Sequence, residues 1–180
     1  MLFYKKQNIQ SANLPKDMWI YSEVSDSEAL RLIPKNLVME AAAQYLLDDL
    51  IESEAIYVNK PNTVVQYLRT LLKHEKLESF GMVLLSTSHK ILGVETLCTG
   101  TVDKAAIYIR NVVETILTNK MPVNAVVLFH NHPGGKTDPS TADRSITRKL
   151  TEALGMFDIQ VLDHIIIGDD EYIFSEHGII

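Results

Sequence analysis

Residues 123–143 read VNAVVLFHNHPGGKTDPSTAD. The first seven, Val123 to Phe129, form a near-continuous apolar run, the pattern of a strand buried on both faces in the middle of a sheet. Two histidines follow at once, His130 and His132, where that strand ends. The loop after them carries Pro133, Gly134, Gly135 and Pro139, which lets the chain turn back sharply. Ser140 to about Leu154 then reads as a helix, with Asp143 in its first turn. Strand, tight loop and helix in this order suit a layered α/β domain and put the histidines at the end of a central strand, where sites in such folds usually form.

The residue types in this segment suit a metal ion. Imidazole nitrogen is the common neutral ligand for zinc, and a carboxylate oxygen is a good third. Residues two apart in an extended segment point to the same side, so His130 and His132 can address one point. Folding back of the loop brings Asp143 toward it. Three protein ligands leave the fourth tetrahedral position for water, as in catalytic zinc sites. Plainer readings exist for each piece. His130 and His132 can be exposed loop histidines, and Ser140-x-x-Asp143 is a reasonable capping box. The cap is compatible with the ligand role, because it fixes the helix that presents Asp143.

Working outward, Phe80 to Leu85 and Ile91 to Cys98 read as two short strands split by the turn-like Ser86 to Lys90. A helix is expected in the latter part of Ala105 to Thr118. Ile159 to Ile167 reads as a strand, with a tight turn at Gly168 to Asp170 leading into Glu171 to Phe174. Toward the start, Asn36 to Glu52 has good helix formers and apolar residues at helical spacing. Tyr57 to Pro61 looks like a break, and Asn62 can cap a second helix to about Lys73. The first 35 residues, with Pro15 and Pro34, read as an irregular arm that Trp19 anchors. The sum is an α/β (α+β) domain, a mixed β-sheet flanked by helices, at 61–180, preceded by an arm and helix at 1–60.

Bulk properties exclude several classes. The 180 residues are 46% hydrophobic and 22% charged, typical of a globular domain with a buried core. The net charge of −6 argues against a broad electrostatic footprint for nucleic acid. The single cysteine, Cys98, sits in an apolar run and reads as a small core residue. No run approaches the ~20 apolar residues of a membrane span. Nothing at the start resembles a signal peptide, so the cytoplasm is the expected location by absence of alternatives.

His130-Asn131-His132-Pro133, Pro139-Ser140 and Asp143 together resemble the JAMM (MPN+) pattern, and more closely its bacterial RadC-like branch. Glu78-Ser79-Phe80, Gly100-Thr101 and Leu162-Asp163-His164 with Ile165-Ile166-Ile167-Gly168 match further pieces of that branch. The likeness covers about residues 62 to 180. One departure is Pro133-Gly134-Gly135, where the family usually has Pro-Ser-Gly. Another is residues 1 to 60, which do not obviously match the N-terminal helical domain of full-length relatives, a region similar to DNA-binding modules. That weakens any DNA-repair role inherited with the family name.

The resemblance implies a JAMM/MPN (cytidine-deaminase-like) metallohydrolase fold, a zinc ion held by His130, His132 and Asp143, and cleavage of a peptide or isopeptide bond in a peptide or protein substrate. It also implies that Ser140 stabilises an oxyanion and that a glutamate acts as general base. Glu78 is aligned by the resemblance. Glu95, inside the second strand, competes for the role, since a buried strand glutamate is costly unless paired or functional. Read plainly, Glu78 is a solvated helix end and Glu95 an exposed hairpin residue. Asp163 or His164 is a candidate for orienting a ligand, although a strand histidine is more often simply hydrogen-bonded in a core. His74-Glu75 starts a metalloprotease helix motif that Glu78 breaks, because that motif needs histidine there. His89 and His177 read as exposed. A non-catalytic module that binds protein or DNA in DNA repair, and a metal hydrolase of another substrate class, are the rival readings.

Overall fold

The computed structural model describes residues 19–22, 31–53, 57, 61–72, 75–100 and 107–180. Two short strands, β1 (Trp19–Ser22) and β2 (Arg31–Pro34), form an antiparallel pair with Trp19 opposite Pro34. This corrects the expectation of an irregular arm at 19–22 and 31–34; the rest of that arm, 1–18 and 23–30, lies outside the described residues. Four-residue strands are too short to show a period-2 pattern in sequence. The Trp19 side chain and His74 lie outside the described residues. Helix α1 (Lys35–Glu52) follows at once. Helix α2 (Pro61–Leu72) begins on Pro61 itself, so Asn62 is inside the helix rather than its cap. Proline suits this first position because its missing N–H would have no helical partner anyway.

The main sheet contains β3 (Ser79–Leu85), β4 (Ile91–Thr99), β5 (Ala125–Asn131), β6 (Gln160–Ile167) and β7 (Glu171–Ile173), in the spatial order β4-β3-β5-β6-β7. Strands β5 and β6 run parallel, joined through helix α4 (Thr141–Gly155), and the other pairs are antiparallel. Helix α3 (Ile109–Leu117) lies between β4 and β5 in the chain. The sheet is mixed and flanked by helices, as read from the sequence.

Both β3 and β5 are buried along their whole length, which explains their unbroken apolar runs. Alternate side chains feed two cores. Val83, Leu85, Val127, Phe129 and Ile165 pack with Ala43 and Leu50 of α1 and with Val64 and Leu68 of α2. On the other face, Met82, Leu84, Val126 and Leu128 pack with Val112 and Ile116 of α3 and with Leu150 and Leu154 of α4. Cys98 packs half-buried against this second core, and burial pushes its thiol pKa up, in line with a small core residue.

Gly81 stands opposite Phe129 in the β3–β5 register, and a Cβ there would overlap both the Phe129 ring and the Glu95 carbonyl. The β5–β6 pairing also contains an irregularity. Val126 pairs with Val161 but Val127 pairs with Asp163, so β6 carries one extra residue, Leu162. A bulge of this kind inverts the facing of everything beyond it. His164 thereby pairs with Leu128 and faces α4. In unbroken register it would have paired with Phe129 and faced α1 and α2.

Candidate metal centre

Strand alternation continues from Val126 and Leu128 to His130, which is fully buried on the α4 face at the end of β5. His132 lies just past the strand end, half-buried, with its N–H bonded to the Ile167 carbonyl at 2.8 Å, so the extended course carries into the loop. His130 Nε2 and His132 Nε2 stand 3.0 Å apart.

Asp143 arrives from the first turn of α4. Ser140 is the N-cap: its Oγ accepts the Asp143 N–H at 3.1 Å, while Asp143 Oδ2 accepts the Ser140 N–H at 2.7 Å. The expected capping box is therefore present, and it aims the carboxylate at the histidines. Asp143 Oδ1 lies 3.3 Å from His130 Nε2, and Oδ2 lies 3.7 Å from His132 Nε2. Choosing one ligand atom per residue keeps all three within 4.8 Å of one another. Bonds of zinc length to a tetrahedral ion put ligand atoms roughly 3.3 Å apart, so the spacing fits such an ion.

The electrostatics suit the same role. Burial drives the His130 pKa down to about 4, so its ring is neutral at pH 7. The His132 pKa is raised, first by its hydrogen bond with Asp143 and against the effect of burial, with smaller help from the Lys136 carbonyl and from the charges of Asp143 and Glu78. Burial opposes the Asp143 charge, but His132, His130 and Ser140 outweigh it and hold this carboxyl well below the usual range. Two imidazoles and an ionised carboxylate converge on one point, a donor set that suits zinc.

The loop between ligands is fixed by contacts that the sequence only hinted at. His132 Nδ1 meets the Lys136 carbonyl at 2.6 Å, a contact that leaves Nε2 to face the site. Gly135 has φ of +85°, and a Cβ there would run into the Asp169 carboxylate. Gly134 faces open space, so the departure from Pro-Ser-Gly falls where a side chain is free to vary. A cleft of about 490 Å³ lies against His132, walled by Gln66, Arg69 and Thr70 of α2 and by Gly168 and Asp169 after β6. That volume is within the range of small-molecule sites. Arg69 ties the two walls together through the Asp169 carbonyl at 3.2 Å and the Glu171 carboxylate.

Glu78 is half-buried immediately before β3, and its charge reaches His132. Its carbonyl accepts the Gly100 N–H at 2.7 Å. Glu95, in contrast, is exposed on edge strand β4 and lines a separate hollow with Thr115 and Lys120 near α3. Asp163 is buried and faces away from the ligands. It accepts hydrogen bonds from Tyr57 Oη, Ser175 Oγ and the main-chain N–H groups of Ser175 and His164. His164 does reach a ligand: its Nε2 lies 2.8 Å from His130 Nδ1. His177 is exposed as expected and stacks on Tyr172. His89 is not fully exposed: it is half-buried in the β3–β4 turn with φ of 60°, and its carbonyl accepts the Tyr57 N–H. Turn composition alone does not reveal this partial burial.

A strand-end His-x-His closed by a capped helical aspartate defines a JAMM-type α+β domain. The chain belongs to the RadC-like JAB domain family, whose model matches residues 58–179. It is similar to the UPF0758 protein of Pseudomonas fluorescens (strain SBW25), 40% identical over 142 residues that make up 78% of this chain and 62% of that one. The UPF0758 protein of Azotobacter vinelandii is 42% identical over 134 residues, 74% of this chain and 58% of its own. The chain thus spans less than two thirds of the length of these curated relatives. Among the described residues, no helix is long and apolar enough to cross a membrane.

Proposed function

We propose that this domain is a zinc-dependent hydrolase acting on a peptide or isopeptide (amide) bond. The observation that carries the reading is the convergence of His130 Nε2, His132 Nε2 and the Asp143 carboxylate beside a cleft with Glu78 nearby. When bound, zinc supplies Lewis acidity and lowers the pKa of water toward ~7. The rest is the work of the chain itself. Glu78 takes the proton from the attacking water and passes it to the leaving amine. Its partly buried position, pinned at the backbone, suits a base that must keep one orientation.

Ser140 is proposed to stabilise the oxyanion. In the structure its hydroxyl proton goes to Asp143 Oδ2 at 2.6 Å, so the proton must turn from Asp143 toward substrate for that role. The cleft between α2 and the loop after β6 would seat the residues flanking the scissile bond.

The first test is metal content by elemental analysis. About one zinc per chain, lost in a His130→Ala/His132→Ala variant, is the expected result for three-ligand sites. A panel of peptide and isopeptide substrates follows, with Glu78→Gln expected to abolish turnover while keeping the metal. A protein that takes up no zinc even when offered it would leave a binding module as the better account. Zinc uptake with undiminished hydrolysis in Glu78→Gln would move the base elsewhere.

A further inference from the structure

The geometry points to His164 and Thr147 as positioning residues that hold His130 in the one tautomer able to accept a metal ion, an inference that rests on the metal reading above. Four groups form a buried chain. His130 Nδ1 lies 2.8 Å from His164 Nε2, His164 Nδ1 lies 2.6 Å from Thr147 Oγ1, and Thr147 Oγ1 lies 2.6 Å from the Asp143 carbonyl. His130 and His164 have no exposed surface, and Thr147 has 3%. Phe80 and Phe174 pack against the rings, so water does not offer substitute partners.

The direction of this chain follows from its far end. A carbonyl oxygen has no hydrogen to give, so a 2.6 Å contact between it and a hydroxyl oxygen requires the hydroxyl hydrogen to lie between them. Thr147 has only one such hydrogen. It must therefore accept from His164, whose Nδ1 carries the proton. A neutral imidazole with its proton on Nδ1 has a bare Nε2, which accepts from His130 Nδ1–H. His130 is then left with a bare Nε2, and that is the atom facing His132 and Asp143. Neither ring has any exposed surface, and burial favours the neutral imidazole.

The opposite setting has the same number of protons. Thr147 donates to His164 Nδ1, His164 Nε2–H donates to His130 Nδ1, and His130 carries its hydrogen on Nε2, where it blocks the metal. The Asp143 carbonyl selects against it. Asp143 and Thr147 are one helical turn apart on α4, so the helix that supplies the third ligand also sets the tautomer of the first.

The test compares wild type with Thr147→Val, which keeps the shape and loses the hydroxyl, and Thr147→Ser, which restores it. Zinc affinity is measured by calorimetry and Co(II) uptake by its visible absorption. Thr147→Val is expected to weaken zinc binding by about 10–100-fold, the usual cost of losing a partner that orients a metal-binding histidine, with Thr147→Ser close to wild type. Long-range 1H–15N spectra of 15N-histidine-labelled wild type, without metal, should show His164 and His130 both protonated on Nδ1. Equal zinc affinity in wild type and Thr147→Val, or His164 protonated on Nε2, overturns the inference. Wild type that shows the expected tautomers but takes up no zinc overturns the metal reading instead.

Discussion

Asn131 Oδ1 accepts the buried main-chain N–H of Ser79 at 2.6 Å, across 52 positions of sequence. Asn131 Nδ2 donates to the Leu77 carbonyl at 3.2 Å. The residue between the two histidines thus holds the chain on both sides of Glu78. Asn131→Ala orphans the Ser79 N–H, a loss that costs about 1–3 kcal/mol for a buried donor. Urea denaturation should show that loss, and hydrogen exchange at Ser79 and Gly100 should quicken. Zinc binding should survive, since Asn131 is not among the ligands. Unchanged exchange at both amides would show that Glu78 is held by other contacts.

The glycine pair in the site loop separates two kinds of position. Gly134→Ser meets open space and should leave stability within about 0.5 kcal/mol of wild type. Gly135→Ala must adopt a left-handed backbone, at a cost of about 1–2 kcal/mol, and also displace the Asp169 carboxylate. Its denaturation midpoint should fall clearly below that of Gly134→Ser, and its zinc affinity should drop, because His132 Nδ1 is held by the same loop at Lys136. Equal midpoints for the two variants would contradict this account of the loop.

Zinc should stabilise the fold through the site and not elsewhere. A ligand that binds the native state alone adds about 2.7 kcal/mol when present at 100 times its Kd. Thermal melts of wild type should rise with added zinc, whereas His132→Ala should melt at the same temperature with or without it. A zinc-dependent rise in His132→Ala would place binding outside the triad.

Tyr57 links stability to alkaline pH. Burial raises its pKa well above the ordinary 10.0, and the charge and hydrogen bond of Asp163 raise it further. A group whose folded pKa lies above its unfolded pKa stabilises the fold fully below the unfolded value and loses that contribution as pH rises. Urea denaturation should therefore show stability falling from about pH 10 upward. Tyr57→Phe should flatten part of the fall. Tyr67, pushed up to about 12 by burial, accounts for another part. The same slope in wild type and Tyr57→Phe would remove Tyr57 from this linkage.

Much of this was legible in the amino acids. Every strand of the main sheet was expected within a residue or two of its place, because β3 and β5 are buried throughout and show it as unbroken apolar runs. Ser140 and Asp143 were legible because a capping box is a local device, complete within one helical turn. The β1–β2 pair was missed because its strands are four residues long. Thr147 and Asn131 were missed as functional candidates because their importance comes from partners 17 and 52 to 54 positions away. A clue existed for Thr147, its i+4 spacing from Asp143.

The sequence by itself determined the order of strands and helices along the main domain, the histidine pair at the end of a buried strand and the capped aspartate that follows, since each depends on periodicity or on contacts within a few residues. Only the tertiary structure decided which way His164 faces. One extra residue at Leu162 turns its ring to the α4 side, beside His130, and no local pattern in IQVLDHIII records that shift. Strand register is a property of a pair, fixed by how two segments bury their side chains against each other and the helices, so it appears only once both strands are in place.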